Sequence, residues 1–234
     1  MGKNPKDLRL DYYVNQYNQI VNKGFSGWIF SFTHKSLEHI PSLKSDKRRE
    51  TALKILEVGS GSGEHIKFVE NTFQQYIATD LDPELLGINT SELKSRGIQF
   101  QQADVENLRF KKNTFDRVIC TCLLHHLNDP ESALLEMKRV TKMGGLVSIY
   151  ISCDPGILNR FLRTILVKPK VRKLGFFEYD IFIAREHRGH FQSIQAMIQN
   201  VFNGQEIQQK FYPFHFKSWN LNAFSVFQIT IISK

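Results

Sequence analysis

Ile55-Leu56-Glu57-Val58-Gly59-Ser60-Gly61-Ser62-Gly63 closes a short apolar run on an acidic residue and then alternates three glycines through a tight loop. Residues 64–75 behind it read as a helix. Glycine lets backbone come close to a ligand, and the start of a helix favours an anion. The spacing separates two kinds of nucleotide loop. A dinucleotide fingerprint runs G-x-G-x-x-G and would put its third glycine at position 64. That residue is Glu64, and the pattern here is E-x-G-x-G-x-G.

Outward from the loop, apolar runs alternate with helical periodicity. Strands are predicted at Lys54–Val58, Gln75–Thr79, Ile98–Gln102, Asp116–Cys120 and Leu146–Ser152, the last after the turn Lys142-Met143-Gly144-Gly145. Helices at about 64–74, 83–95 and 130–142 separate them. Such alternation argues for a parallel sheet with helices on both faces. Residues 8–40 are aromatic-rich and read as two helical pieces with Gly24 and Gly27 between them; a polar connector fills 41–51. After Ser152, Ile157, Leu158, Phe161, Leu162, Ile165 and Leu166 recur at helical spacing, and Pro169 is expected to stop that helix by Lys168. A further amphipathic helix carries Phe191, Ile194, Ile198 and Val201, and strands are predicted at Glu206–Tyr212 and Phe224–Ile232.

In chain order at strand boundaries stand the glycine loop, Asp80 in Ala78-Thr79-Asp80-Leu81-Asp82-Pro83, Asp104 in Gln102-Ala103-Asp104-Val105-Glu106, then Phe115–Cys120 and Met143-Gly144-Gly145. This series, over about residues 53–152, resembles the methyltransferase type-11 branch of the class I S-adenosylmethionine (SAM)-dependent methyltransferases. The resemblance implies an α/β, Rossmann-like, seven-stranded and mostly parallel sheet with an antiparallel last strand. It divides the chain into an N-terminal helical cap (1–50), a SAM-binding core (51–152), a helical insertion after strand five that shapes the acceptor site (153–204), and C-terminal strands (205–234).

SAM as cofactor has to be held at its methionine end, its ribose and its adenine. The loop residues Gly59, Ser60, Gly61 and Gly63 suit the methionine carboxylate, and Glu57 the ammonium group. Asp80, with Leu81 beside it, is placed for the ribose hydroxyls, and Asp104 with the Val105 backbone for the adenine. Cys120 and His125 complete the expected cofactor contacts. Aspartates at strand ends also cap helices, and Asp82 before Pro83 reads as such a cap.

Cys120-Thr121-Cys122-Leu123-Leu124-His125-His126-Leu127 narrows the substrate class. The nucleic-acid amino-methyltransferases of this fold carry an Asn/Asp-Pro-Pro-aromatic motif here, and this chain has none, so it is more similar to the small-molecule branch. Cys120-x-Cys122 lacks the second pair a zinc site needs, and no metal is expected. An oxygen acceptor needs a base of near-neutral pKa. Ala184-Arg185-Glu186-His187-Arg188-Gly189-His190-Phe191 offers His187 or His190, with Arg185 or Arg188 to hold an acidic substrate; the same residues could simply begin a solvated helix. Tyr13 and Tyr17 of the cap are candidates to close over the acceptor, or ordinary packing residues. The tail Phe211–Phe216 with Trp219, Asn220 and Asn222 is faintly similar to methyltransferases of surface-polysaccharide gene clusters, which would imply a sugar acceptor.

The chain has 234 residues, 41% hydrophobic and 23% charged, with three cysteines in no framework; this is the composition of a soluble, cytoplasmic protein with reduced thiols. No apolar run is long enough to span a bilayer, and the first residues lack the apolar core of a signal peptide. The formal charge is +8, and Arg160, Arg163, Lys168, Lys170, Arg172 and Lys173 crowd one stretch without an acid. A solvated face, an anionic acceptor, peripheral membrane contact and nucleic acid all fit that stretch. The expected function is therefore methyl transfer from SAM to a small-molecule or lipid-linked acceptor. An RNA methyltransferase and a non-catalytic SAM-binding regulatory module are the alternatives.

Overall fold

The computed structural model describes residues 12, 24–39, 52–86, 93–94 and 96–232. Seven strands form one sheet: β1 (Leu53–Val58), β2 (Phe73–Asp80), β3 (Ile98–Gln102), β4 (Phe115–Thr121), β5 (Thr141–Ser152), β6 (Glu206–Tyr212) and β7 (Phe224–Thr230). Their spatial order is β3-β2-β1-β4-β5-β7-β6. The first five are parallel, β7 runs antiparallel to β5, and β6 pairs antiparallel with β7. The expected architecture is present.

The strands at the centre are buried on both faces, which explains their near-continuous apolar runs. Alternation still sorts them by face. Leu56 and Val58 of β1 join one core with Val118, Val147 and Phe227, while Ile55 joins a second with Tyr76, Ile119 and Val226. Helix α1 (Gly24–Glu38) covers the second face through Leu37. The first face is covered by α2 (Pro130–Val140) through Ala133, Leu134 and Met137, and by a late helix, Phe191–Val201, through Ile194 and Ile198. Helix α2 starts where its sequence says it should. Asp129 accepts a hydrogen bond from the Ser132 N–H, Pro130 fills the first turn, and Lys138 and Arg139 sit at the negative end.

Several local expectations are corrected. No α-helix follows the glycine loop: turns lead to a single 3-10 turn, Ile66–Phe68, and β2 begins at Phe73. Tertiary contacts override local propensity there, because His65 and Asn71 are drawn inward to Glu38 and Arg117. Gly27 lies inside α1 and Gly24 is its first described residue; the first of the two expected pieces lies largely outside the described residues. Residues 142–145 belong to β5 as an irregularity: Phe115 pairs with Thr141, and Arg117 already with Leu146.

Pro169 does not stop its helix. Ile157–Leu162 runs through a π-helical turn, Arg163–Val167, into Lys168–Lys173, and together these form α3. The Lys168 N–H reaches back to the Arg163 carbonyl, so Pro169 falls in a first turn where its missing N–H does no harm. Helix α4 (Tyr179–Glu186) was not anticipated, and it ends at His187 where a solvated helix was one reading for a start; Phe191–Val201 is α5. The connector 41–51 and most of the helix expected over 83–95 lie outside the described residues.

Candidate functional site: a cleft at the switch point of the sheet

The strand order reverses between β1 and β4, and ligands of open α/β sheets bind at the carboxyl ends of the strands flanking such a point. A cleft of about 590 Å³ opens there, walled by the loop after β1, the ends of β2 and β3, the loop after β4 and the α3–α4 insertion. Tyr12 of the cap also lines it, packed on Phe176, Tyr179 and Phe182 of the insertion.

The glycines shape the floor. Gly59 and Gly63 have φ of +65° and +81°, and a Cβ on either would stand 2.6 Å from Leu123 or Leu93 respectively. The loop is not a row of bare donors, however. The N–H groups of Ser60, Gly61 and Gly63 are taken by the Thr79 carbonyl, the Asp80 carboxylate and the Ser60 carbonyl. With no α-helix behind the loop, the expected helix-dipole contribution is absent as well. Side chains carry the polarity instead.

Three buried side-chain atoms have no hydrogen-bond partner among the described residues: Glu57 Oε1, Ser60 Oγ and His125 Nδ1. Ser60 and His125 line the cleft, whereas Glu57, one residue before the end of β1, is fully buried beneath the loop and does not line it. Buried polar atoms are normally satisfied, so such a cluster marks where a ligand's polar groups belong. Glu57 Oε2 accepts from the Tyr76 hydroxyl at 2.7 Å. Burial raises the Glu57 pKa, opposed by the His65 charge and the Tyr76 hydrogen bond. An ammonium group brought near would favour the charged carboxylate.

Asp80 lines the cleft with Oδ2 accepting from the Gly61 N–H at 2.9 Å and Oδ1 from the Asp82 N–H at 3.0 Å. Leu81 stands exposed at the rim. Asp104 caps the turn Val105–Asn107 by accepting from the Glu106 N–H, and both Asp104 and Val105 line the cleft. Asp82 caps the next turn as expected. These residues, with Ser60 and Glu57, fit a SAM molecule lying from the β1 loop toward β3.

Other candidates separate. Cys120 points into the core between the sheet and α2, its thiol pushed up to about 12 by burial, and does not line the cleft. Cys122, two residues on with a left-handed φ of 54°, does line it. His187 reaches the cleft and His190 does not; His190 is the N-cap residue of α5, its carbonyl accepting from Ser193 Oγ. Arg188 is at the cleft and hydrogen-bonds Asn128, whereas Arg185 is away from the lining. Tyr13 and Tyr17 lie outside the described residues.

Sequence reasoning overlooked two groups. His34 and His65 line the cleft and meet Nδ1 to Nδ1 at 2.8 Å, with His65 Nε2 3.0 Å from Glu38. His126 and Asp154 sit beside His125 and His187. One signal was present: Arg117 inside an apolar strand run requires a buried partner, and Glu38 is that partner.

Residues 56–149 match the family model described as a methyltransferase domain. The uncharacterized methyltransferase YcgJ of Bacillus subtilis is 28% identical over 172 residues, 71% of this chain and 63% of that protein. The ubiquinone/menaquinone biosynthesis C-methyltransferase UbiE of Coxiella burnetii is 32% identical over 109 residues, 44% of each. The chain thus spans less than two thirds of the length of either relative. Among solved structures, the CurJ carbon methyltransferase superposes with a TM-score of 0.67 at 15% identity, covering 99% of this chain and 62% of that one. Residues 56–149 thus match a methyltransferase domain, and the strand order with a glycine loop at the switch point is similar to the fold of the class I SAM-dependent methyltransferases.

Proposed function

We propose that this protein transfers a methyl group from SAM to a small-molecule or lipid-linked acceptor, with a sugar or other hydroxyl as the favoured nucleophile. The carrying observation is that one cleft joins the partnerless Ser60 hydroxyl and the Asp80 and Asp104 carboxylates to a histidine wall from the insertion. SAM, when bound, supplies an electrophilic methyl on a sulfonium. The protein's part is alignment, which by itself can supply much of the acceleration. Ser60, with Glu57 buried beneath the loop, faces the methionine end, Asp80 the ribose, and Asp104 with the Val105 backbone the adenine. Tyr12 and Phe182, in ring contact, wall the cleft on the insertion side. We assign activation of the acceptor to His187, held at Nδ1 by Asp154, and orientation of an acidic acceptor group to Arg188.

A lipid-linked acceptor is favoured by a second observation. Ile157, Leu158, Phe161, Phe214, Phe216 and Leu221 form an apolar hollow, most of them exposed, beside the basic face of α3. An exposed apolar hollow on a helix that also carries basic residues suits an anionic bilayer surface better than a nucleic-acid backbone. Arg163 and Lys168 of the basic stretch are engaged with Asp154 and Asp180. No helix among the described residues is long and apolar enough to cross a membrane.

Calorimetric titration with S-adenosylhomocysteine, against NAD as control, tests the cofactor. One equivalent of the former and none of the latter is expected; failure of both withdraws the methyltransferase reading and leaves only the fold. A turnover screen then follows over lipid-linked and nucleotide sugars. Because UbiE and CurJ are named as carbon methyltransferases, carbon acids are included. Binding without turnover on any acceptor, with RNA equally inert, would favour the regulatory module.

A further inference from the structure

The far wall of the cleft brings the distant His187 beside the adjacent pair His125 and His126. His125 and His126 follow β4, and His187 ends α4. The insertion is pinned to this place by backbone: the Arg188 and Gly189 N–H groups both donate to the His125 carbonyl, at 2.8 and 3.1 Å. Gly189 permits the approach, since a Cβ there would lie 3.1 Å from Ile194 and 3.4 Å from the His125 Cα. Ring centroids of His125 and His187 are 4.4 Å apart, and one nitrogen from each of the three rings lies within 4.8 Å of the others.

The tautomers follow from the partners. His126 Nδ1 lies 3.0 Å from the Glu186 carbonyl, which can only accept, so the proton is on Nδ1 and the ring's lone pair on Nε2. His187 Nδ1 lies 3.6 Å from Asp154 Oδ2, longer than a hydrogen bond, and the nearby carboxylate favours a proton on that nitrogen. Asp154 is itself clamped by Arg163 and the Ser152 hydroxyl, both at 2.7 Å. Histidines that bind metal through one nitrogen commonly donate the other N–H to a carbonyl or carboxylate; His126 does so, and His187 has a carboxylate within ion-pair reach. The third ring, His125, is buried with Nδ1 lacking any partner among the described residues.

We propose that His125, His126 and His187 form a site for a divalent first-row transition ion of the Zn²⁺ type, with Asp154 and the Glu186 carbonyl as outer supports. Imidazole suits such ions, and three protein ligands leave a coordination position open to the cleft. The site stands on its own geometry, whereas its use rests on the methyl-transfer reading. With the ion bound, an acceptor hydroxyl at the open position would become more acidic and would lose its proton to water at the open cleft mouth. Its oxygen then forms a bond to the methyl carbon as the carbon–sulfur bond breaks, the electron pair staying on sulfur. His187 on this account activates the acceptor through the ion and not as a free base.

The test uses full-length protein freed of metal by a chelator, titrated calorimetrically with Zn²⁺ and Co²⁺. One ion per chain is expected, with a cobalt absorption spectrum of nitrogen ligation and no thiolate band. His187→Gln and, separately, His126→Gln should abolish stoichiometric binding. Asp154→Asn should weaken it roughly 10–100-fold. The metal-free melting curve of each variant serves as the folding control, so that one misfolded variant leaves the others decisive. No stoichiometric ion in the wild type, or unchanged affinity in a folded His187→Gln or His126→Gln variant, overturns the proposal. S-adenosylhomocysteine binding without metal binding discards this site and keeps the methyltransferase reading; the reverse result keeps the site and discards that reading.

Discussion

Arg117 in the middle of β4 and Glu38 at the end of α1 form a two-pronged ion pair sealed from solvent, Nη1 to Oε2 at 2.8 Å and Nη2 to Oε1 at 2.7 Å. Arg117 also donates to Asn71 and to Ser148, Ser148 donates to Gln228, and Gln228 donates to the Leu37 carbonyl. The cap helix is thus tied to β4, β5 and β7 by a closed polar circuit. Removing one member of a buried pair strands a charge, which typically costs about 3–5 kcal/mol. Glu38→Gln should lower stability on that scale in urea unfolding. Glu38→Leu combined with Arg117→Met should be less harmful than the sum of the two single changes. Strict additivity in the double-mutant cycle would contradict the coupling.

The same pair sets the acid limit. Burial alone would raise the Glu38 pKa, but the Arg117 charge and hydrogen bonds from His65 and Arg117 hold it far below the ordinary 4.5. A depressed folded pKa means that its stabilisation is complete above the unfolded value of about 4.3 and is lost as pH falls toward the folded one. Glu57 acts with the opposite sign: burial raises its pKa, so its contribution favours the folded state at acid pH and fades as pH rises through the raised value. Urea midpoints measured from pH 6 downward should therefore drop steeply in the wild type, and less so in Glu38→Gln.

Asp80 both braces the glycine loop and faces the cleft. Asp80→Asn keeps an acceptor for the Gly61 N–H but loses the charge. Hydrogen bonds to a charged group are worth about 1.5–3 kcal/mol, so S-adenosylhomocysteine affinity should fall by roughly tenfold or more with the melting temperature little changed. Equal affinity would move the ribose contact elsewhere.

Gly63 is confined from two sides, by φ of +81° and by Leu93 at 2.6 Å from any added Cβ. Gly63→Ala should destabilise by more than about 1 kcal/mol. Gly61, with φ of +52° but open space around a Cβ, should suffer only the backbone part. Paired melting curves give the comparison, and a milder effect at 63 than at 61 would refute the packing argument.

His190 caps α5 away from the cleft, while His187 lines it. His190→Ala should leave turnover near wild type, and His187→Ala should slow it while sparing cofactor affinity. Single-turnover rates alongside calorimetry separate the two effects.

The strand series, the loop at its first turn and the aspartates after β2 and β3 are legible in the sequence because each is local. Apolar alternation writes the strands, and positive φ writes the glycines. Ligand residues at strand ends then fall where parallel topology must put them. What the tertiary structure decided is every pairing across long separations. His65 leaves the expected helix to meet Glu38, an arginine in a strand acquires a carboxylate 79 residues away, and His187 arrives beside His125 and His126. Cys122 faces the cleft and Cys120 the core because a left-handed residue breaks the alternation just past β4. Periodicity fixes which way a side chain points within its own element; only packing decides which distant side chain it meets.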